Sequence, residues 1–92
     1  MDQLAAPLES LMGALGSLGD PTRLRLLRLL ERRELGVADL VSALQLPQST
    51  VSRHLKVLSD QGWVKNRAEG TNRIYRMPAP EETVARKLWN VA

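Results

Sequence analysis

No cysteine occurs among the 92 residues, which removes disulfides, thiolate nucleophiles and thiolate metal sites together. Phenylalanine is also missing, and aromatic residues make up only 3% of a chain that is 43% hydrophobic. The core must therefore be assembled mainly from Leu, Val and Ala, the material of helical layers. His54 is the single histidine, so a transition-metal site built on imidazoles lacks ligands as well. Glu81 and Glu82 alone would make a weak, hard-ion site. No metal and no cofactor is expected. There is no glycine-rich loop after a strand and no paired nucleophile and base, so no enzyme is expected either. No apolar run reaches the ~18 residues of a membrane span, and the N-terminus lacks the basic-then-apolar order of a signal peptide. A cytoplasmic protein with no membrane partner is the expectation.

Positive charge is present, and it is unevenly spread. The formal net charge is +3, yet residues 47 to 76 alone carry Arg53, Lys56, Lys65, Arg67, Arg73 and Arg76 against only Asp60 and Glu69. The excess sits in one stretch, as in proteins that meet a polyanion, although charge alone also fits a solvated basic face. Within that stretch Val51, Leu55 and Leu58 recur at the spacing of one helical side, which predicts a helix over 48–61. Leu46 can fold back onto Val51 as a hydrophobic staple, and Gly62 can supply the left-handed residue that closes a helix. Gln48, Ser49, Thr50 and Ser52 crowd the first turn, where backbone NH groups and the helix dipole favour phosphate and where a docked helix meets base edges. A helix lying against the major groove of DNA is the chemistry these residues suit.

The remaining chain supplies a setting for that helix. Met1 to Gly19 predicts a helix, starting near Ala6, with Leu4, Leu8, Leu11, Met12 and Leu15 on one side. Pro7 is acceptable only near its first turn, and Gly13, Gly16 and Gly19 weaken its end. Its apolar side suits either the core or a second subunit. Asp20-Pro21 is a sharp helix start, and Leu24, Leu26, Leu27, Leu29 and Leu30 then cover a wide apolar arc. Glu34-Leu35-Gly36 breaks the pattern as a short extended piece. Val37, Leu40, Val41 and Leu44 mark a further helix, separated from the next by only Gln45, Leu46 and Pro47, so 37–61 forms a helix-turn-helix. Trp63 to Ala68 and Arg73 to Met77 read as two strands around Glu69-Gly70-Thr71-Asn72, a basic hairpin spanning 63–77. Such a wing can reach a neighbouring phosphate or the minor groove through Arg67, Asn72 and Arg73, or merely cover the core. Pro78-Ala79-Pro80 stops the second strand, and Glu81 to Ala92 resumes as a helix with Val84, Leu88 and Val91 on its apolar side and Trp89 beside them. That helix reaches the last residue without a closing signal, as in a piece of a longer chain. The fold class expected is mainly α with a small β-hairpin: one winged helix-turn-helix domain over 1–92, with about five helices and a two-stranded wing.

The order LGDPTRLRLLRLL, ELGVADLVSAL and PQSTVSRHLKVLSDQGWVKNRAEGTNRIYRM, over residues 11 to 77, resembles the ArsR family of bacterial winged-helix repressors. Three spaced blocks agree in order and spacing, which a single motif of this length would not achieve. The resemblance implies a cytoplasmic, nucleoid-associated transcriptional repressor. It implies a homodimer built from the first and last helices, 1–19 and 81–92, presenting two recognition helices to an inverted repeat in double-stranded DNA. By the same resemblance Gln48, Ser49, Ser52, Arg53 and His54 approach bases or nearby phosphates, while Lys56, Arg67 and Arg73 position the backbone; Thr50 in the first turn and Asn72 at the wing tip join them as DNA-binding candidates. His54 also fits a place packed under the wing. Two positions depart from the family pattern. Gln45 stands where the turn commonly has Gly, at a cost of ~1 kcal/mol or more if the left-handed conformation is kept. Pro47 stands where Ser commonly caps the recognition helix. ArsR-like domains also occur at the front of proteins carrying an S-adenosylmethionine-dependent methyltransferase, and the segment Ala85 to Trp89 looks similar to such a junction. An N-terminal DNA-binding or docking domain of such a longer methyltransferase protein is the alternative expectation.

Overall fold

A computed structural model of the chain describes residues 2–91, with side chains described for 8–9 and 11–90. Leu4 and Val91, expected on the apolar sides of the terminal helices, lie outside the described side chains. Five helices and a small sheet follow in the order α1 (Asp2–Ser17), α2 (Pro21–Arg32), β1 (Leu35–Gly36), α3 (Val37–Leu44), α4 (Gln48–Asp60), β2 (Lys65–Glu69), β3 (Asn72–Arg76) and α5 (Val84–Val91).

Each boundary has a local cause. The Asp20 side chain accepts from the Thr22 NH at 2.8 Å and Pro21 takes the first helical position, so α2 starts where the Asp-Pro pair predicts. At the other end of α4, Gly62 adopts φ +81, its NH reaches the Ser59 carbonyl at 3.1 Å, and the Trp63 NH reaches the Leu58 carbonyl at 2.9 Å. This is a Schellman closure. It occupies the Trp63 amide, so pairing in the wing starts at Lys65 and not at Trp63, where the first strand was expected to begin. Trp63 and Val64 are buried in the core instead. The hairpin turn is also shorter than expected, because Glu69 and Asn72 pair directly and only Gly70 and Thr71 lie between the strands. Gly70 has positive φ and Thr71 does not, the pattern of a type II′ turn that matches strand twist.

Two further differences concern the ends. Helix α1 runs from Asp2, earlier than the start near Ala6 suggested by Pro7. Helix α5 begins at Val84, later than Glu81, because Thr83 Oγ1 accepts from the Arg86 NH at 3.0 Å and acts as its cap. The acidic pair Glu81-Glu82 therefore stays in the preceding loop. Among the described residues of α5, Ala85 is buried and Leu88 and Trp89 are half-buried, while Val84 is 55% exposed.

The core gathers Leu26, Leu27 and Leu30 of α2, Leu40 and Leu44 of α3, and Val51, Leu55 and Leu58 of α4 around Trp63 and Val64. Leu46 packs against this cluster, as a staple preceding α4 should. The short extended piece before α3 becomes a third strand: β1 pairs antiparallel with β3, Leu35 opposite Tyr75, giving the sheet order β1-β3-β2. The wing is thereby tied to the body at its inner strand.

Between α3 and α4, Gln45 holds φ 57 and ψ 41, and its Nε2 donates to the Ser42 carbonyl at 2.8 Å. The left-handed conformation is kept by a residue with a Cβ, with an exposed hydrogen bond as partial compensation. Gln45→Gly is expected to stabilise the chain by ~1 kcal/mol. Urea unfolding of the two proteins checks this; an unchanged midpoint would show that the strain is relieved elsewhere.

Candidate nucleic-acid interface

Helix α4 divides its residues cleanly. Val51, His54, Leu55 and Leu58 face the core, at positions i, i+3, i+4 and i+7, while Gln48, Ser49, Ser52, Arg53 and Lys56 are exposed and Thr50 is half-buried. Pro47 caps the helix without a side-chain acceptor, and its carbonyl takes the NH groups of Thr50 and Val51 at 3.1 Å. The amides of Gln48 and Ser49 are left at the positive end of the helix dipole, next to the exposed amide and hydroxyl side chains.

His54 departs from the expected exposed set. It is 8% exposed, and its Nδ1 accepts from Arg23 Nε at 3.1 Å. The ring lies neither at the outer surface nor under the wing but against the start of α2. The 3.6-residue period puts position 54 at the edge of the inward arc marked by Val51, Leu55 and Leu58, and Arg23 supplies the partner that holds it there.

Register decides what the wing offers. Lys65, Arg67 and Glu69 of β2 lie opposite Arg76, Ile74 and Asn72 of β3, whereas Asn66 and Ala68 lie opposite Tyr75 and Arg73. Directly opposed residues share a face, so Arg67 and Asn72 are on one face of the hairpin and Arg73 on the other. Arg73 Nη1 donates to Asn66 Oδ1 at 2.6 Å, which ties that arginine down along its own face. Asn66 was not singled out in the sequence, although the Ala68-to-Arg73 pairing and simple alternation would have placed it beside Arg73. Gln48 at the start of α4 and Asn72 and Arg73 near the wing tip line one cleft, with Thr71, Ile74 and residues of Gly36–Asp39.

The positive charge is partly neutralised by residues from outside the basic stretch. Arg67 lies 2.9 Å from Glu34 and 3.2 Å from Glu69. Its hydrogen bond to Glu34 raises its pKa and lowers that of Glu34. Lys56 pairs with Asp60 at 3.3 Å, and both Lys65 and Arg76 reach Glu82, at 3.6 and 3.1 Å. Among the described residues, Arg53 and Arg73 have no carboxylate within salt-bridge distance. Glu34 was missed in the sequence because no local pattern links it to Arg67; β1 joining the wing brings them together. Exposed pairs of this kind are held weakly and exchange readily for phosphate.

Among the described residues no group of three or more His, Asp or Glu could hold a metal ion, and no helix is long and apolar enough to cross a membrane.

With this geometry in place the comparisons with known proteins are decisive. The family model described as "Bacterial regulatory protein, arsR family" matches residues 20–66, which run from the cap of α2 into the wing. The chain belongs to the ArsR family. A transcriptional repressor SmtB homolog of Synechocystis is 44% identical over 61 residues, 66% of this chain and 46% of that protein. The arsenical resistance operon repressor of Staphylococcus xylosus is 40% identical over 60 residues, 65% of this chain and 58% of the relative. The match thus spans about half the length of these curated relatives. A homodimeric winged helix-turn-helix DNA-binding domain from Mycobacterium bovis superposes with a TM-score of 0.85 at 30% identity, covering 99% of this chain and 84% of that one. The fold is therefore the winged helix-turn-helix of ArsR proteins, with a wing stiffened by β1.

The wing is anchored to the segment before α5 by Glu82. Its carboxylate accepts from both Nη atoms of Arg76, at 3.1 and 3.3 Å, and from the Ala79 NH at 2.5 Å. These bonds, the Arg76 pair first, lower its pKa from 4.5 to about 2. The folded state thus holds this carboxylate charged where the unfolded chain would protonate it. The stabilisation is complete above the ordinary carboxylate pKa and is lost as pH falls through about 2. Glu82→Gln should flatten the fall of the thermal midpoint with acid across that window. Melts at stepped pH check this, and parallel curves for the two proteins would refute it.

Proposed function

We propose that residues 1–92 act as one DNA-binding domain of a homodimeric transcriptional repressor, which works by binding and not by catalysis, on the nucleoid in the cytoplasm. The observation that carries the reading is the outer face of α4, where Gln48, Ser49, Ser52 and Arg53 are exposed together while the opposite face is locked into the core. Arg53 is the cation on that face without an acidic partner among the described residues, which leaves its guanidinium available for a guanine edge. Thr50 and the first-turn amides suit a phosphate at the groove edge. Lys56, Arg67, Asn72 and Arg73 serve the sugar-phosphate backbone, with Asp60, Glu34 and Glu69 standing in for phosphates in the free protein. His54, buried against Arg23, is not part of the reading surface. The names of the relatives, repressors among them, support the regulatory role, and nothing in them supports a methyltransferase docking domain.

The dimer reading rests on the terminal helices. Leu8, Met12 and Leu15 follow one side of α1 and are 58%, 64% and 50% exposed, and α1 packs with α5, whose Val84 is exposed too. An apolar side of this extent on a chain this small is the mark of an interface. The Mycobacterium bovis neighbour, a homodimer by its description, supports that use. A two-fold pair of α4 helices would face an inverted repeat with half-sites about one helical turn apart.

Selection of bound duplexes from a random pool at moderate salt should enrich such a repeat. Arg53→Ala should then cost ~1 to 3 kcal/mol on the selected site and relax preference at one base position. Salt-sensitive binding without enrichment would remove sequence-specific reading. Met12→Asp should convert a dimer to a monomer in sedimentation; a dimer that persists would place the interface elsewhere.

A further inference from the structure

Buried Ser17 and His54 and half-buried Arg23 form one connected polar chain beneath α4 that base and phosphate contacts leave unexplained. Arg23 stands in the first turn of α2, where the Asp20 cap and Pro21 fix the backbone that carries it. Its Nε donates to His54 Nδ1 at 3.1 Å, and its Nη1 donates to the Ser17 carbonyl at 3.0 Å. Ser17, 6% exposed, donates through Oγ to the Ala14 carbonyl and accepts from Trp63 Nε1, both at 2.6 Å. One guanidinium therefore joins the last turn of α1 to the middle of α4, and the same turn of α1 holds the indole that follows α4.

The chemistry is specific to these groups. Nδ1 of His54 must be unprotonated to accept, so the ring carries its proton on Nε2. The guanidinium is planar and always charged, and offers two donors in fixed directions, which a lysine ammonium cannot reproduce. A hydrophobic residue at either position would pack but would leave the tilt of α4 about its long axis free to drift. His54 directly follows Arg53 on that helix, so a small rotation at His54 moves the Arg53 guanidinium across the base edges.

We propose that Arg23 is a positioning residue for sequence reading: by bridging Ser17 and His54 it sets the orientation of α4 relative to α1, and so places Arg53. The proposal rests on the DNA-reading role of α4. Since α1 carries the exposed Leu8, Met12 and Leu15, the same bridge makes the orientation of the reading helix depend on what α1 packs against.

The test compares affinity for a duplex selected from a random pool with affinity for a scrambled duplex of equal length, at one salt concentration. Wild type, Arg23→Met, His54→Leu and His54→Asn are measured at a temperature where circular dichroism shows each folded. Arg23→Met and His54→Leu should lose about tenfold on the selected duplex and less than about twofold on the scrambled one, the effect of one charge-assisted hydrogen bond. His54→Asn should regain most of the selected-site affinity, because its Oδ1 can take the place of Nδ1 as acceptor. If Arg23→Met does not fold, Arg23→Lys, which keeps the stem and the charge but not the fork, should show the same selective loss. A selected-to-scrambled ratio equal to wild type in the Arg23 variant and His54→Leu would overturn the proposal. So would an equal loss on both duplexes, which would make Arg23 a phosphate contact, or an Asn variant as weak as Leu. A wild-type ratio of one would instead overturn sequence reading by α4 itself, and this role of Arg23 with it.

Discussion

The structure depends on burying Trp63 with a partner for its indole NH. A tryptophan supplies more apolar area than any other residue, but an unpaired Nε1–H in the core would cancel much of that gain. Here Nε1 reaches the Ala14 carbonyl at 3.0 Å and Ser17 Oγ at 2.6 Å, so the last turn of α1 is drawn onto the residue that closes α4. The ring meets Trp89 of α5 edge-on, with centroids 6.2 Å apart. Three helices converge on one side chain. In a core otherwise made of leucine, valine and alanine, this is the contact that gives the terminal helices a defined place against the helix-turn-helix.

From that centre the division of labour follows. The inward arc of α4 is committed to the core, which frees its outward arc to be polar without loss of stability. The wing has little core of its own. All five residues of β2 are exposed, and the hairpin is positioned by β1 on its inner strand and by Glu82 at its base. Helix α4 and the wing are thus held by different forces. The helix is held mainly by burial of Val51, Leu55 and Leu58, to which the Arg23–His54 hydrogen bond is added. The wing is held in part by exposed ion pairs, which salt and acid weaken.

Those ion pairs also change how the positive charge should be understood. The linear count places an excess on residues 47–76, but Glu34 and Glu82 fold back onto Arg67, Lys65 and Arg76. Among the described residues, the cations of this stretch without a carboxylate partner are Arg53 on α4 and Arg73 on the wing.

Much of this was determined by the sequence alone, because the signals are local. The Asp-Pro start of α2, the leucine periods of α2 and α3, the tight turn before α4 and the glycine that ends it each act within a few residues, and so they were legible without coordinates. The family blocks and the polar first turn of α4 were legible for the same reason. Tertiary structure decided what depends on distant partners. It turned His54 inward onto Arg23, sent Glu34 to Arg67, and used Trp63 as core, with its indole on Ala14 and Ser17, and not as strand. It also recruited Leu35 and Gly36 as a third strand. Each of these is a pairing across a gap in the chain that no period or capping rule encodes. A helical repeat says which face is buried, whereas only the assembled packing says which atoms it is buried against.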